Sequence, residues 1–133
     1  MKNSQDVHNE TGLWGEKVAK SMLSRKGYKI LGARVLLDAR DEIDLVARDG
    51  SVLVFVEVKT RASERFGRPI SAVDRKKRRI LRRAAVRYLK RKRFPEVNFR
   101  FDVVEVVGSI GDKHPAVCHI QNIFTLGSKY YLP

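Results

Sequence analysis

Three carboxylates and an amine crowd the middle of this 133-residue chain: Glu42 and Asp44 in Glu42-Ile43-Asp44-Leu45-Val46-Ala47, and Glu57 and Lys59 closing Val52-Leu53-Val54-Phe55-Val56-Glu57-Val58-Lys59. Carboxylates gathered on one partly buried face repel and raise each other's pKa unless a cation neutralises them. A hard divalent ion, Mg²⁺ or Mn²⁺, is the economical partner, because it takes oxygen ligands and keeps waters for chemistry. The plainer alternative is that Glu42 and Asp44 are solvated residues of an edge strand, with Glu57 paired to Lys59 or to a nearby arginine.

The elements around these residues decide between the two. Residues 52–58 are β-branched, aromatic or aliphatic until Glu57, and both faces of the run are apolar, which is the pattern of an interior strand. Alternation puts Leu53, Phe55, Glu57 and Lys59 on one face. Asp49-Gly50 between two strand-like runs predicts a tight hairpin with that dipeptide as its loop, so that Asp44 faces Phe55 and Glu42 faces Glu57. Asp44 is then the diagonal neighbour of Glu57, and Glu42, Asp44, Glu57 and Lys59 share a face. Leu13, Trp14, Val18, Ala19, Met22 and Leu23 recur at helical spacing from Leu13 to Lys26, with Thr11 as a candidate N-cap and Gly27 as the stop. Glu16 borders the apolar stripe of this helix, where it can reach a site at the edge of the core or simply favour the helix dipole.

A second helix is predicted from the capping-box pattern Ser71-Ala72-Val73-Asp74 to about Arg93. Its buried stripe is Val73, Ile80, Leu81, Ala84, Ala85, Tyr88 and Leu89, and the remainder is basic. No acidic residue after Asp74 offsets these cations, so they read as a phosphate-contacting surface, with Arg75, Lys76, Lys77, Arg79, Arg82, Arg83 and Lys90 as candidates and Arg61 joining from the loop before the helix. The balance of the whole chain agrees: 28 Lys and Arg against 15 Asp and Glu leave a formal charge of +13. Such a surplus attracts polyanions, nucleic acid first and anionic membrane second.

The rest is framework. Residues 1–10 are polar and patternless and read as a disordered tail, leaving 11–133 as one domain, long enough for its own core. Strands are predicted at Tyr28 to Leu37, Asn98 to Val107 and Ala116 to Leu126, with a loop from Thr60 to Pro69 at the rim of the candidate site. Asp102 lies beside Arg100, and pairing is the one role it shows. The lone Cys118 forms no disulfide within the chain, His8, His114 and His119 lack metal-ligand spacing, and neither a signal segment nor an apolar run of membrane length is present. A cytoplasmic setting without a membrane partner is the expectation.

The order of helix, three strands, basic helix and strand, with Ile43-Asp44 and Glu57-Val58-Lys59 on successive strands and an acid in the first helix, resembles the PD-(D/E)xK restriction-endonuclease-like nucleases. Gly12-Leu13-Trp14-Gly15-Glu16, Glu42-Ile43-Asp44-Leu45-Val46-Ala47, Val54-Phe55-Val56-Glu57-Val58-Lys59-Thr60-Arg61, Phe66-Gly67 and Arg100-Phe101-Asp102-Val103-Val104 more closely resemble the YraN family of small bacterial proteins, over about residues 12–126. The resemblance implies an α/β fold, a restriction-endonuclease-like core of α-β-β-β-α-β order around a mixed sheet, with an additional C-terminal strand, similar to archaeal Holliday-junction resolvases. It implies Asp44 and Glu57 as metal ligands, Lys59 as the catalytic lysine, Glu16 as an accessory acid and ligand, and Glu42 as a further candidate acid. Two positions depart from the pattern: Asp41 stands where the family usually has glycine, and an asparagine-containing segment is replaced by Gly32-Ala33-Arg34-Val35.

The implied activity is Mg²⁺- or Mn²⁺-dependent hydrolysis of phosphodiester bonds, with DNA, branched or structured, as the expected substrate. Junction cutting would favour a two-fold homodimer. The rival reading is a non-catalytic DNA- or RNA-binding protein that keeps the fold and the basic helix.

Overall fold

The computed structural model describes residues 4–38, 40–62, 75–93 and 98–123, with side chains from residue 9 onward. Within them the order is α1 (Ser4–Arg25), β1 (Lys29–Leu36), β2 (Glu42–Asp49), β3 (Val52–Arg61), α2 (Arg75–Arg91), β4 (Asn98–Val107) and β5 (Ala116–Ile120). The expected α/β architecture is therefore present. Five strands form one sheet in the order β1-β2-β3-β4-β5. All neighbours are antiparallel except β3 and β4, which run parallel over the full length from Val52↔Asn98 to Arg61↔Val107. A parallel pair requires a crossover connection, and α2 lies in it.

Alternation along β3 and β4 splits the core in two. Val46, Leu53, Phe55, Phe101 and Val103 pack with Leu81, Ala84, Ala85, Tyr88 and Leu89 of α2. On the other face Leu45, Ala47, Val54, Val56, Val104 and Val106 pack with Ala19 and Leu23 of α1. Each fully buried large side chain here contributes roughly 1.5–3 kcal/mol through lost apolar exposure. Phe55 is central to the first cluster, meeting Tyr88 edge-on at 5.6 Å and Phe101 at 5.5 Å between ring centres. Apolar side chains cover both faces of β3, as an interior strand requires.

Three local expectations are corrected. Helix α1 begins at Ser4, so residues 4–10 belong to its first turns and not to a loose tail. Helical apolar periodicity marks only the stretch that is buried, and nothing in the polar turns before it breaks a helix. The β2–β3 loop is Gly50-Ser51, not Asp49-Gly50, because Asp49 pairs with Val52. Gly50 sits at φ 60°, the left-handed geometry that a glycine at the first central position of a type II′ turn supplies. The guanidinium of Arg100 also holds Asp49 at 3.2 Å, keeping that residue in the strand. Strand β5 ends at Ile120, short of the predicted Leu126. The capping box at residues 71–74 and residues 63–69 of the rim loop expected from Thr60 to Pro69 lie outside the described residues, while Thr60 and Arg61 belong to β3 and not to that loop.

The arginines of α2 divide into two groups. Asp41 is fully buried and accepts from Arg83 Nε at 2.7 Å and Nη2 at 2.6 Å, and from Arg87 Nη1 at 2.7 Å. Arg87 also pairs with Asp38, and Arg91 donates to the Leu36 and Leu37 carbonyls at 3.0 and 2.6 Å. Residues 83, 87 and 91 share one helix face, so this stripe clamps the β1–β2 turn to α2. Asp41, the departure from the family pattern noted above, is thus the anchor of that clamp.

Close approach of α1 to β3 depends on Gly15. A Cβ added there would overlap Thr60 Oγ1 and lie 3.1 Å from Thr60 Cβ. Gly15→Ala is expected to cost about 2 kcal/mol by overpacking, despite the better helix propensity of alanine. Urea unfolding of the variant checks this, and adding Thr60→Ala should recover part of the loss.

Candidate functional site

Strand β2 leaves β3 where the polar residues begin. The β2–β3 pairing runs from Asp49↔Val52 to Leu45↔Val56, and beyond it the Val58 N–H donates to Asp44 Oδ2 at 2.8 Å. The Asp44 side chain thereby takes a backbone donor at the point where the two strands part. Asp44 follows the alternation of Val46, and Glu57 that of Phe55, so both carboxylates lie on the α2 face. The true register is two residues from the expected one, which preserves that shared face and brings Asp44 and Glu57 closer along the ladder.

Burial and mutual repulsion then shape their chemistry. Glu57 is 3 % exposed, and its Oε2 is buried without a hydrogen-bond partner. Asp44 is pushed up to about 7, first by desolvation and then by the negative charge of Glu57, against the Val58 N–H and the Lys77 ammonium. Both effects oppose ionisation of Asp44 unless a cation neutralises the pair. Two amines face Glu57 Oε1: Lys77 Nζ of α2 at 3.3 Å and Lys59 Nζ at 3.8 Å. The motif lysine is therefore joined by a helix lysine that the sequence placed only among phosphate contacts.

The remaining candidates are distributed around this pair. Glu16 lies across the end of the sheet on α1, where its Oε2 accepts from Arg34 Nε at 2.8 Å. Glu16, followed by Glu42 and Asp44, also raises the Arg34 pKa, so Arg34 links the three acids electrostatically. Glu42 is half-buried and pairs across β1 with Leu36. Among the described residues no group of three His, Cys, Asp or Glu side chains is arranged to share one metal ion. Glu16 and Glu42 are accordingly near the pair without completing a three-carboxylate cage.

Glu105 is a buried acid beside the candidate site that sequence reasoning missed. It is 1 % exposed, its Oε2 has no partner, and it stands opposite Lys59 on β4, with Arg61 Nε 3.9 Å from its Oε1. A lone glutamate inside an apolar strand, Val104-Glu105-Val106, was the available signal. Of the expected phosphate contacts, Arg75, Lys76, Arg79 and Lys90 are exposed on α2, and Arg82 is half-buried. Arg83, Arg61 and Lys77 are engaged with Asp41, Glu105 and Glu57 respectively.

Asp102 belongs to a different cluster, toward the hairpin end of the sheet. Fully buried, it accepts from Arg100 Nε at 3.1 Å and from the Asn122 N–H at 2.9 Å, and it meets His119 Nε2 at 2.8 Å. Lys26 Nζ lies 2.9 Å from His119 Nδ1. Because an ammonium can only donate, Nδ1 accepts and Nε2 carries the proton given to Asp102. These bonds join the β4–β5 pair to the end of α1 and account for Asp102 as a structural carboxylate.

Comparison with known sequences places this geometry in a family. The profile of the uncharacterised protein family UPF0102 matches residues 15–106. The chain belongs to that family, the YraN family. A UPF0102 protein of Syntrophomonas wolfei is 44% identical over 120 residues, covering 89% of this chain and 100% of the relative. One of Geobacter sulfurreducens is 42% identical over 120 residues, covering 90% of this chain and 92% of the relative. One of Symbiobacterium thermophilum is 49% identical over 100 residues, 75% of this chain and 84% of the relative. The UPF0102 match contains Glu16, Asp44, Glu57, Lys59, Glu105 and all of α2. Among the described residues of this UPF0102 chain, no helix is long and apolar enough to cross a membrane.

Proposed function

We propose that this UPF0102 protein is a divalent-metal-dependent phosphodiesterase acting on nucleic acid, with DNA as the substrate. The observation that carries the reading is the pairing of part-buried Asp44 with buried Glu57, with an orphaned carboxylate oxygen and two ammonium groups at its edge. The donor set fits Mg²⁺ or Mn²⁺, because Mg²⁺ is commonly held by one or two carboxylates, with waters and substrate phosphate filling the remaining positions. Asp44 and Glu57 would hold the ion, and Glu57 Oε2 is the oxygen left open for it. Such an ion, when bound, lowers the pKa of a coordinated water and neutralises charge developing at phosphorus.

The protein's own groups supply the rest. The Val58 N–H fixes the Asp44 carboxylate, so its orientation is set before substrate arrives. The Lys59 ammonium, 35% exposed, reaches from the rim toward a non-bridging phosphate oxygen or the attacking water. Lys77 opposes the negative charge of the pair from α2. Arg75, Lys76 and Arg79 follow on the exposed face of the same helix and contact backbone phosphates, which positions the strand without reading its bases. Hydrolysis then joins water oxygen to phosphorus and breaks one phosphorus–oxygen ester bond.

The deciding measurement is cleavage of labelled linear, nicked, flapped and four-way-junction DNA with Mg²⁺, Mn²⁺ or EDTA, for the wild type, Glu57→Ala and Lys59→Ala. Metal-dependent products that fall by about 10²–10³-fold in both variants are expected. Cleavage unchanged in both variants would overturn the assignment. Salt-sensitive binding without cleavage, and without saturable heat on Mn²⁺ titration, would favour the non-catalytic alternative.

A further inference from the structure

A cleft of about 490 Å³ opens between α1 and the segment joining β4 to β5, away from the α2 face that carries Asp44 and Glu57. Its walls combine Trp14, Val18 and Pro115 with the cations Lys17, Arg25 and Lys113. All three cations are exposed, and among the described residues none is engaged by a carboxylate. Asp112, the acid in the lining, is occupied, its Oδ2 accepting from the Ser109 N–H at 2.7 Å. The cleft therefore presents an indole and apolar side chains beside three cations and one carboxylate, a net excess of positive charge.

Its position adds to this composition. Trp14 lies against Gly108, where an added Cβ would come 3.3 Å from the ring, and the Gly108 N–H donates to the Arg61 carbonyl at the end of β3 at 2.9 Å. The next residue of α1, Gly15, packs on Thr60, the neighbour of Lys59. The cleft and the carboxylate pair thus flank the same end of the sheet from opposite faces.

We propose that this cleft binds an unpaired nucleotide of a nucleic-acid strand, its base against Trp14 and its phosphates on Lys17, Arg25 and Lys113. An aromatic platform with basic side chains is the arrangement that takes single-stranded nucleic acid with little sequence preference. A duplex keeps its bases stacked inside and cannot offer one to the indole, so the site selects unpaired strand. A size of a few hundred Å³ suits one base with its sugar. The inference deepens the functional reading above by naming the strand feature that is recognised. It rests on the nucleic-acid part of that reading and not on cleavage.

Trp14 is the one tryptophan of the chain, so its fluorescence reports on this cleft alone. The full-length protein in EDTA, where no cleavage occurs, is titrated with a twelve-nucleotide oligothymidylate, the corresponding duplex and thymidine monophosphate. Saturable quenching is expected with the oligonucleotide, at least about tenfold tighter than with the mononucleotide or the duplex, because only the unpaired strand combines stacking with several phosphate contacts. Lys17→Gln with Lys113→Gln should weaken the quenching and lower the slope of log affinity against log salt by about 1.4, two contacts' worth for single strands. Both lysines are exposed, so the variant keeps the fold, and Arg25→Gln repeats the test at a third position. Oligonucleotide binding by gel shift without quenching, equal quenching by duplex or mononucleotide, or an unchanged salt slope would each overturn the proposal. Loss of cleavage with intact quenching would instead count against the metal site alone.

Discussion

Asp44→Asn is expected to abolish metal-dependent cleavage while raising the melting temperature of the metal-free protein. The two effects share one cause. Asp44 is part-buried beside the buried Glu57, and both desolvation and the Glu57 charge oppose ionisation of Asp44. An asparagine keeps an oxygen to accept from Val58 N–H, and its amide can donate to the Glu57 carboxylate, one of whose oxygens has no partner. Removing a like-charge repulsion and satisfying a buried acceptor should stabilise the fold by about 1 kcal/mol, a few degrees in melting temperature. The same change removes one anionic ligand, so turnover should fall by about 10²–10³-fold or more. Calorimetric melting in EDTA and single-turnover cleavage in Mn²⁺ read the two quantities separately. A variant that loses stability and activity together would show that Asp44 supports the fold and is not held there for function, since destabilised functional sites gain stability when their function is removed.

Arg83→Met should carry the largest stability loss of any substitution among the basic residues of the helix, about 3 kcal/mol. Asp41 is fully buried, and the substitution removes its bidentate partner, leaving the single Arg87 contact to neutralise it. The converse change, Asp41→Asn, should cost about 1 kcal/mol, because the Arg83 and Arg87 side chains are 42% and 43% exposed and can be rehydrated. The pH dependence has a definite sign. The Arg83 hydrogen bonds, outweighing desolvation, hold the Asp41 carboxyl below its ordinary value. Its contribution is thus present above the unfolded-state value near 3.8 and is lost as pH falls through the folded one. Without Arg83 that carboxyl titrates higher, and the acid-unfolding midpoint should move to higher pH. Equal midpoints for wild type and Arg83→Met in an acid titration followed by circular dichroism would rule the clamp out as a stabilising element. Substituting exposed Arg75 or Lys76 in the same way should leave stability within about 0.5 kcal/mol.

The contrast between Arg83 and Arg75 shows how far a row of like charges can be read. Both sit on a helix with no acidic residue in its described length, and both appear equally available to phosphate. Which arginine turns inward depends on where the β1–β2 turn falls, and that turn is brought to α2 only by the sheet. The same holds for Lys77, whose distance from Glu57 is a packing result with no counterpart in the motif.

Periodicity and residue type by themselves determined the element order, the two-faced apolar β3 and the common face of Asp44, Glu57 and Lys59. They could do so because helical and strand alternation are local properties of the chain. The hairpin loop was ambiguous for a physical reason: Asp49-Gly50 and Gly50-Ser51 differ by a two-residue shift in register, which leaves every side chain on the same face and every apolar residue buried. The observed register pairs Asp49 with Val52 and brings Asp49 to Arg100, fifty-one residues away, and it sets the closer approach of Asp44 to Glu57. Tertiary structure likewise decided that Glu105 joins the buried acids, that Glu16 is tied to Arg34, and that Trp14 and three cations from two distant segments line one cleft. Such choices rest on contacts between residues far apart in sequence, where no local pattern carries the information.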